Sequence, residues 1–202
     1  LGEESGRGIT AHKGDLSKRE AAHQIVSAIM AKERRIDILV NATGGVRGQV
    51  GRPIEEISES DWKVIFESNV DAAFWMAQAV APHMQAAGYG RIVILASGAG
   101  LRPSLTGIQA YTTAKHAVVG LTKQLSQDLG RHGITTNAIA PGFIPSNPAS
   151  IAQWEAYGPQ VQQRILESIH VRRVGRPDDI SSMALFLASD HASWICGQII
   201  PV

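Results

Sequence analysis

Residues 91–97 read Arg91-Ile92-Val93-Ile94-Leu95-Ala96-Ser97, an apolar run that ends in a polar side chain. Runs of this kind form strands that are buried on both faces of a parallel sheet. Two more, Ile36–Val40 and Ile134–Ala140, are separated from it by segments with helical periodicity. Strands that alternate with helices predict a single α/β domain over residues 1–202. Its sheet should be doubly wound and mostly parallel, with helices on both faces, which is the three-layer αβα architecture.

Polar and glycine residues follow two of these strands directly. Ser97 ends one strand, and Asn41-Ala42-Thr43-Gly44 follows Ile36–Val40. Open α/β sheets bind ligands in the crevice at the carboxyl ends of their strands, and a glycine there lets the backbone approach a ligand closely. A plain tight turn would explain the glycine about as well, so this segment alone leaves both interpretations open.

A tyrosine and a lysine lie in the next predicted helix, which runs to Gly130. Residues four apart share one helix face, so Tyr111 and Lys115 point into the same space. A nearby cation favours phenolate over phenol, which predicts a Tyr111 pKa below the usual value of about 10 and makes the side chain a usable proton donor or acceptor. Such pairs occur by chance on surface helices, so the neighbouring motifs decide the interpretation.

Three further segments carry helix and strand signals. A long helix is predicted from about Trp62 to Ala87, after a capping box at Ser58–Asp61. Asn69 lies inside this helix, where asparagine is mildly unfavourable because it competes for backbone hydrogen bonds. Upstream, Gly8–Lys13 is a strand candidate, and Ser17–Glu20 fits a second capping box.

Composition argues against several classes of function. The formal net charge of +1 provides no basic field for nucleic acid. The single cysteine, Cys196, excludes an internal disulfide and a multi-cysteine metal site, and the seven histidines are scattered without metal-ligand spacing. No apolar run approaches the roughly 20 residues of a membrane span, and no signal peptide is visible. The sequence therefore predicts no metal, no nucleic-acid or membrane partner, and a cytoplasmic location.

Taken together, these segments resemble the short-chain dehydrogenase/reductase family in its three-layer Rossmann-type form. The resemblance runs from Asp15 to Val202. In chain order it rests on Asn41-Ala42-Thr43-Gly44, Asn69, Ser97, Tyr111 with Lys115, Pro141-Gly142-Phe143-Ile144, Arg173–Ile180 and Phe186–Asp190. It implies reversible hydride transfer between a nicotinamide cofactor, NAD or NADP, and an alcohol or carbonyl substrate.

The resemblance also implies roles for individual residues. Tyr111 would pass a proton to or from the substrate oxygen, and Ser97 would donate a hydrogen bond to that oxygen. Lys115 would lower the Tyr111 pKa and bind the nicotinamide ribose, and Asn69 would hold a water that links Lys115 to solvent. The cofactor-binding residues that it implies are Asp15, Leu16, Asn41, Ala42, Thr43, Gly44, Tyr111, Lys115, Pro141, Gly142, Ile144 and Ser146, the last in a place usually taken by threonine.

The sequence departs from the family pattern in three places. Thr43 enlarges the Asn-Ala-Gly element, and the loop between Ser97 and Tyr111 is slightly longer than usual. The family's first strand, its Gly-rich phosphate turn and its second strand, which selects NAD or NADP, have no counterpart here. The choice between NAD and NADP therefore stays open. Without the first strand Gly8–Lys13 would have no neighbour to pair with, so we expect the intact protein to carry a longer N-terminal segment, and a short C-terminal tail as well.

Residues 143–173 are predicted to form a substrate lid. Their prolines and glycine preclude one long helix, although Val161–Ile169 could form a short one. A long irregular segment in a compact domain is usually functional or disordered, and this one follows the predicted nicotinamide contacts. Trp154 and Tyr157 within it, together with Ser97, are the predicted substrate contacts.

The amide and aromatic side chains of this segment favour a small polar alcohol, a sugar or a hydroxy acid as the substrate. The alternative is a 3-oxoacyl-[acyl-carrier-protein] reductase, which the uncharged turn Gln85–Gly90 disfavours because an acidic carrier needs a basic patch. An alternative of another class is a non-catalytic dinucleotide-binding regulator or scaffold, although such proteins usually lack the tyrosine or the lysine. Arg47 and Arg102 could meet a carboxylate, but solvated loop arginines are the more ordinary interpretation.

Small and apolar residues along two of the predicted helices point to self-association. In the family these helices pair across two-fold axes into a four-helix interface, usually within a tetramer. The resemblance therefore implies a homotetramer. The residues expected at its interface are Ala72, Ala73, Ala77, Ala114, Ala117 and Val118.

Overall fold

The computed structural model describes residues 8–104 and 106–202. In this part of the chain the strands form a parallel sheet in the order β1-β2-β3-β4. Because the strands run in the same direction and are adjacent, their carboxyl ends lie along one edge. The strands are β1 (Ile38–Asn41), β2 (Gly90–Leu95), β3 (Ile134–Ala140) and β4 (Ile199–Pro201).

Helices connect successive strands, as a parallel sheet requires. They are α1 (Arg19–Glu33), α2 (Glu59–Phe66), α3 (Ala72–Ala87), α4 (Gln109–Gly130), α5 (Pro148–Ala156), α6 (Gly158–Ser168) and α7 (Pro177–Ala188). None of these helices, in the part of the chain that the structure describes, is long and apolar enough to cross a membrane.

Apolar side chains cover both faces of the sheet. On one face Ile94 of β2 belongs to a cluster with Val80 of α3 and Val118 of α4. On the other face Val93, the preceding residue of the same strand, belongs to a cluster with Leu187 of α7. Successive strand residues point to opposite faces, so a strand covered on both sides must be apolar throughout. This arrangement confirms the predicted three-layer α/β fold.

The predicted long helix is two helices joined by a π-helical turn at Glu67–Asp71. The helix begins at the predicted capping box: the Ser58 side chain accepts from the Asp61 N–H, and the Asp61 carboxylate accepts from the Ser58 N–H. The π turn inserts an extra residue between two runs of ordinary helix, and such turns are frequent at functional sites. Asn69 lies in this turn.

Two predictions near the start of the described chain are wrong. Residues 8–13 are exposed and have no regular secondary structure, because β1 is the edge of the sheet and no strand of the described chain lies next to it. The second capping box is not formed either. Helix α1 has Lys18 as its N-cap residue without a side-chain bond, and the Ser17 N–H donates instead to the Asp15 carboxylate at 3.0 Å.

Residues 143–173 contain helices α5 and α6. The short helix predicted over Val161–Ile169 is confirmed in part, because α6 begins earlier, at Gly158, and ends at Ser168. The break between the two helices falls at Gly158, whose φ of 68° lies in the left-handed region that favours glycine.

The small residues expected at a subunit interface lie mostly inside the protomer. Ala72, Ala73, Ala77, Ala114 and Val118 are each 2% exposed or less. They form the inner stripes of α3 and α4, where small side chains let helices and sheet approach closely. The prediction that these residues face a partner subunit is therefore wrong.

Candidate active site

The carboxyl end of β2 places Ser97 beside the end of β3. The Gly98 N–H donates to the carbonyl oxygen of Pro141 at 2.9 Å, so the two chain segments stay paired beyond the strands. The Ser97 hydroxyl accepts a hydrogen bond from the Ala99 N–H at 3.1 Å, which begins the short 3₁₀ turn Gly98–Gly100. The structure thus brings Ser97 together with the Pro141-Gly142 segment.

The turn after Ser97 packs directly on the backbone of α4 because Gly100 has no side chain. A Cβ atom at Gly100 would lie 2.6 Å from the carbonyl oxygen of Lys115, too close for any side chain. Lys115 is 4% exposed, and its Nζ donates to the carbonyl oxygen of Leu95, the last residue of β2, at 2.8 Å. These two contacts fix the position of α4, and with it Tyr111, relative to Ser97.

Burial dominates the protonation of both side chains on this face of α4. Burial raises the pKa of Tyr111, and a hydrogen bond with Ser97 offsets only part of that rise. Burial also lowers the pKa of Lys115 to about 8. The predicted lowering of the Tyr111 pKa by Lys115 is therefore wrong for the protein alone. The ammonium group lies 5.8 Å from the centre of the Tyr111 ring and is bonded to Leu95 instead.

Asn69 holds the loop that follows β1. Its side chain is 1% exposed; Nδ2 donates to the Gly45 carbonyl oxygen at 2.9 Å and Oδ1 accepts from the Gly45 N–H at 3.0 Å. A Cβ atom at Gly44 would lie 2.3 Å from Asn69 Oδ1, so glycine is required there. Nδ2 also donates to the Ile65 carbonyl oxygen of its own helix at 2.9 Å, and among the described residues no side-chain bond joins Asn69 to Lys115. The sequence showed only an asparagine at an unfavourable helix position.

Asn41 shapes the same loop from the end of β1. Its Oδ1 accepts hydrogen bonds from the Thr43 N–H at 3.1 Å and from the Thr43 hydroxyl at 2.6 Å. Thr43, which departs from the family pattern, thus makes an additional bond to the asparagine of its own motif. The buried Nδ2 of Asn41 has no partner among the described residues. A buried donor left unpaired at a sheet edge is a group that a polar ligand can satisfy.

Two cavities open along this edge of the sheet. The Ser97 cavity has a volume of about 230 Å³ and is lined by Val46, Ser97, Gly98, Ala99, Arg102, Pro103, Ser104, Thr106, Tyr111, Pro141, Gly142, Phe143, Ile144 and Ser150. The Gly44 cleft is lined by Gly14, Asp15, Leu16, Ser17, Ala42, Thr43, Gly44, Arg47, Val64, Glu67, Ser68 and Ala72.

The predicted cofactor residues divide between these two cavities. Those that line the Gly44 cleft are Asp15, Leu16, Ala42, Thr43 and Gly44. Those that line the Ser97 cavity are Tyr111, Pro141, Gly142 and Ile144. Asn41 and Lys115 are buried behind the walls, and Ser146 lines neither cavity but donates its N–H to the Ser150 hydroxyl at 3.0 Å. Both cavities lie at the carboxyl edge of the sheet, where open α/β sheets bind ligands, and each contains a glycine, Gly44 in one and Gly142 in the other, that leaves the backbone open to close approach.

The two aromatic side chains predicted to touch substrate lie behind another ring. The ring centres of Trp154 and Tyr157 are 5.6 and 6.0 Å from that of Phe143. Phe143 lines the Ser97 cavity, whereas Trp154 and Tyr157 line neither cavity. Sequence reasoning missed Phe143 as a wall residue, although its place directly after Pro141-Gly142 was the available signal.

Comparison with known proteins places the chain in a family. The family model described as enoyl-(acyl carrier protein) reductase matches residues 1–202. The chain belongs to the short-chain dehydrogenase/reductase family.

Curated relatives of the chain act on chemically different substrates. The chain is 36% identical over 197 residues to (2S)-[(R)-hydroxy(phenyl)methyl]succinyl-CoA dehydrogenase subunit BbsD of Thauera aromatica, covering 98% of this chain and 75% of the relative. It is 34% identical over 203 residues to 2-dehydro-3-deoxy-D-gluconate 5-dehydrogenase of Bacillus subtilis, covering 100% and 76%. It is 32% identical over 202 residues to 3-oxoacyl-[acyl-carrier-protein] reductase FabG of Chlamydia trachomatis, covering 100% and 78%.

Among solved structures of similar proteins, one contains NAD⁺ and another contains NADP. NAD⁺-bound xylitol dehydrogenase superposes with a TM-score of 0.90 at 29% identity, over 99% of this chain and 80% of that one. The NADP-bound protein ElxO superposes with a TM-score of 0.86 at 26% identity, over 96% and 76%.

These similarities settle the class of reaction. The protein is an enzyme, a nicotinamide-dependent oxidoreductase that acts on alcohol or carbonyl groups with NAD or NADP. The acyl-carrier-protein reductase alternative corresponds to one of the relatives but is no better supported than the others. The predicted class of oxidoreductase, its fold and its cofactor are confirmed.

The buried lysine predicts a particular dependence of stability on pH. Folded Lys115 loses its proton near pH 8, whereas unfolded lysine keeps it to about 10.5. Between these values the unfolded state binds more protons, so the contribution of Lys115 to the free energy of unfolding rises with pH. We expect wild type to gain about 2 kcal/mol relative to Lys115→Met between pH 7 and pH 10, measured by urea unfolding.

The control is Lys123→Met, which changes an exposed lysine on the same helix. Its unfolding free energy should run parallel to that of wild type over the same pH range. Parallel curves for Lys115→Met as well would show that Lys115 is not desolvated.

Proposed function

We propose that the enzyme interconverts a small polar alcohol, sugar or hydroxy acid and its carbonyl form, with Asn69, Ser97, Tyr111 and Lys115 as its catalytic machinery. The observation that carries this proposal is that Ser97 and Tyr111 line one small cavity, with Lys115 buried beside them. A hydroxyl, a phenol and an ammonium group at one point can bind an alcohol or carbonyl oxygen and exchange its proton.

Each side chain has a distinct task in this proposal. Ser97 donates a hydrogen bond to the substrate oxygen and stabilises the charge that develops on it. The raised pKa of Tyr111 keeps the phenol protonated at neutral pH, ready to give its proton to a carbonyl oxygen that is being reduced. In the reverse direction Tyr111 must first lose its own proton, and its phenolate then receives the proton of the alcohol. When bound, the nicotinamide cofactor exchanges the hydride with the carbinol carbon.

Lys115 and Asn69 act around this pair. Lys115 titrates near neutral pH because burial lowers its pKa to about 8, so it can exchange protons under working conditions and bind the hydroxyls of the cofactor ribose. Asn69 fixes the Gly44–Gly45 backbone that borders the Gly44 cleft. The water-relay role predicted for Asn69 would have to use its backbone, since its side-chain groups are engaged.

The proposed cofactor site joins the two cavities. The adenosine half would lie along Asp15, Leu16 and the Ala42–Gly44 loop in the Gly44 cleft. The nicotinamide half would lie beside Tyr111 and Pro141–Ile144 in the Ser97 cavity. Asn41 would support the Gly44 cleft from behind, Lys115 would bind the ribose hydroxyls, and Ser146 would hold Ser150 at the wall of the Ser97 cavity.

The size and lining of the Ser97 cavity favour a small polar substrate. Its volume of about 230 Å³ would have to hold the nicotinamide as well as the substrate and lies below the range of about 300–1,000 Å³ for sites that hold drug-sized ligands, so only a small substrate fits. Ser104, Thr106 and Ser150 line it in addition to Ser97, beside apolar residues such as Phe143 and Ile144. Two of the similar proteins, a gluconate-type dehydrogenase and xylitol dehydrogenase, carry names of polyhydroxylated substrates.

We propose a homotetramer assembled through other surfaces than the alanine stripes. Large apolar side chains remain on the outer faces of α2 and α3, with Trp62 39% exposed and Phe74 37% exposed. Large apolar side chains left exposed on a helix favour pairing with a second copy. Sedimentation equilibrium that shows only monomer at micromolar concentration would contradict this assembly.

We propose a cytoplasmic location on the basis of the thiol of Cys196. It is free and half-buried, and its sulfur accepts a hydrogen bond from the Thr136 N–H at 3.4 Å. A free thiol that is half-buried against a strand is typical of a reducing compartment. Fluorescence microscopy of the tagged full-length protein in its own cell would test this, and a signal outside the cytoplasm would contradict it.

The proposed mechanism makes a prediction about the phenol oxygen of Tyr111. Tyr111→Phe keeps the ring and its packing but removes the proton carrier, so we expect kcat to fall by at least about a hundredfold while the cofactor Kd changes less than about threefold. Tyr89→Phe, at the opposite end of β2, is the matched control and should retain wild-type kcat. A Tyr111→Phe enzyme with a tenth of wild-type kcat would refute Tyr111 as the acid and base.

Another prediction concerns residues 143–173, which we propose act as a lid within the single domain. Phe143 links Trp154 and Tyr157 to the Ser97 cavity, so movement of α5 and α6 would alter its wall. Closure would exclude water from the hydride path. Hydrogen exchange in this segment should slow when cofactor and substrate are added, with α7 unchanged as the internal control. Identical exchange with and without ligands would end the lid hypothesis.

A further inference from the structure

The Ser97 cavity carries a positive charge at its wall. Arg102 is the charged side chain among the described residues that line it, and no carboxylate of those residues lines it. The remaining polar groups are hydroxyls, including those of Ser104, Thr106 and Ser150. A small cavity with a guanidinium and no acidic side chain favours an anionic ligand over a neutral or cationic one.

Arg102 also lacks an internal partner in the part of the chain that the structure describes. No carboxylate there lies within 4.0 Å of its guanidinium, whereas ion pairs of this kind occupy Arg35, Arg52, Arg91 and Arg173. An arginine that is already paired would bring no net charge to a ligand. Arg102 is exposed and has no such pair, so its guanidinium is available to a ligand of the cavity.

The structure separates the two arginines that sequence reasoning treated alike. Arg47 lines the Gly44 cleft together with Asp15 and Glu67, so acidic side chains offset its charge. The pKa of Asp15 is lowered, chiefly by hydrogen bonds from Ser17, with Arg47 a minor cause. Arg102 alone of the two shares a cavity with Tyr111.

The loop that carries Arg102 is anchored. The Ser104 and Thr106 hydroxyls lie 2.8 Å apart, and the Thr106 N–H donates to the Ser104 hydroxyl at 3.1 Å. A Cβ atom at Gly51 would lie 2.7 Å from the Thr106 carbonyl oxygen, so the preceding loop packs directly on this one. A cation on an anchored loop is placed at less entropic cost than one on a free loop.

We infer that the substrate carries a carboxylate and that Arg102 binds it, so the enzyme acts on small hydroxy acids of the aldonate type. This inference rests on the proposed function and narrows it. A guanidinium binds a carboxylate through two parallel hydrogen bonds, which positions the acid as well as attracting it. The carboxylate is unchanged in the reaction. The nicotinamide, when bound, would take the hydride from a carbinol carbon further along the chain, and the deprotonated form of Tyr111 would take the proton of the hydroxyl on that carbon.

The test uses pairs of substrates that differ only in the carboxylate. D-gluconate is compared with D-glucitol, and D-xylonate with xylitol, because each alditol has CH₂OH where the aldonate has the acid. In wild type we expect kcat/KM for at least one aldonate to exceed that of its alditol at least about tenfold. In Arg102→Gln we expect kcat/KM for the aldonate to fall about tenfold to a hundredfold, mainly through a higher KM. We expect kcat/KM for the alditol to stay within about twofold of the wild-type value.

Two controls accompany the test. Arg131→Gln removes an exposed positive charge at the end of α4 and should keep the aldonate preference. Circular dichroism and Tm of Arg102→Gln should match wild type, since an exposed side chain is removed. Arg102→Lys keeps the charge without the paired hydrogen bonds and should give an intermediate KM.

The outcomes distinguish this inference from the proposed function. If wild type has equal kcat/KM for aldonate and alditol, or if Arg102→Gln keeps the preference for the aldonate, the role of Arg102 is overturned. The proposed function then stands, because the enzyme still acts on small polar alcohols. If the enzyme turns over a 3-oxoacyl thioester but neither the aldonates nor the alditols, both the role of Arg102 and the proposed function are overturned.

Discussion

The close contact between Gly100 and the backbone of Lys115 is the constraint on which the site depends. It lets the turn after β2 lie against α4 with no side chain between them. The bond from Lys115 Nζ to the Leu95 carbonyl oxygen then ties the same two elements through a side chain. Ser97 comes from the strand and Tyr111 from the helix, so their meeting in one cavity follows from this packing. Catalytic geometry of this kind tolerates little displacement.

Burial gives the site its electrostatic character. The covered phenol stays protonated and the covered ammonium loses part of its preference for the charged form, because both are removed from water. Arg102 lines the same cavity and has no carboxylate partner among the described residues. The site thus combines a phenol, a lysine whose pKa burial lowers to about 8, and a guanidinium. The proposed reduction or oxidation of a small anionic substrate depends on these three groups.

The sequence predicted what depends on local pattern. Buried strands are recognisable as apolar runs in the sequence. The shared helix face of Tyr111 and Lys115 follows from their separation by four residues. The π turn at Asn69 was not predicted, because the bonds from its side chain to Gly45 join segments that are far apart in the chain. The sequence also missed the direction of the Tyr111 pKa shift and the inward position of the alanines of α3 and α4. Both depend on which distant segments pack against these helices. The separation of Arg47 and Arg102 into different cavities depends in the same way on how distant loops fold together.

The most direct measurement is the activity of Gly100→Ala beside that of Gly130→Ala. A Cβ atom at Gly100 must displace α4, whereas one at Gly130 meets nothing within 4 Å. We predict that Gly100→Ala lowers kcat at least about tenfold and destabilises the fold by about 1–3 kcal/mol, while Gly130→Ala keeps kcat within about twofold. Wild-type kcat in a folded Gly100→Ala enzyme would show that the site does not depend on the contact between this turn and α4.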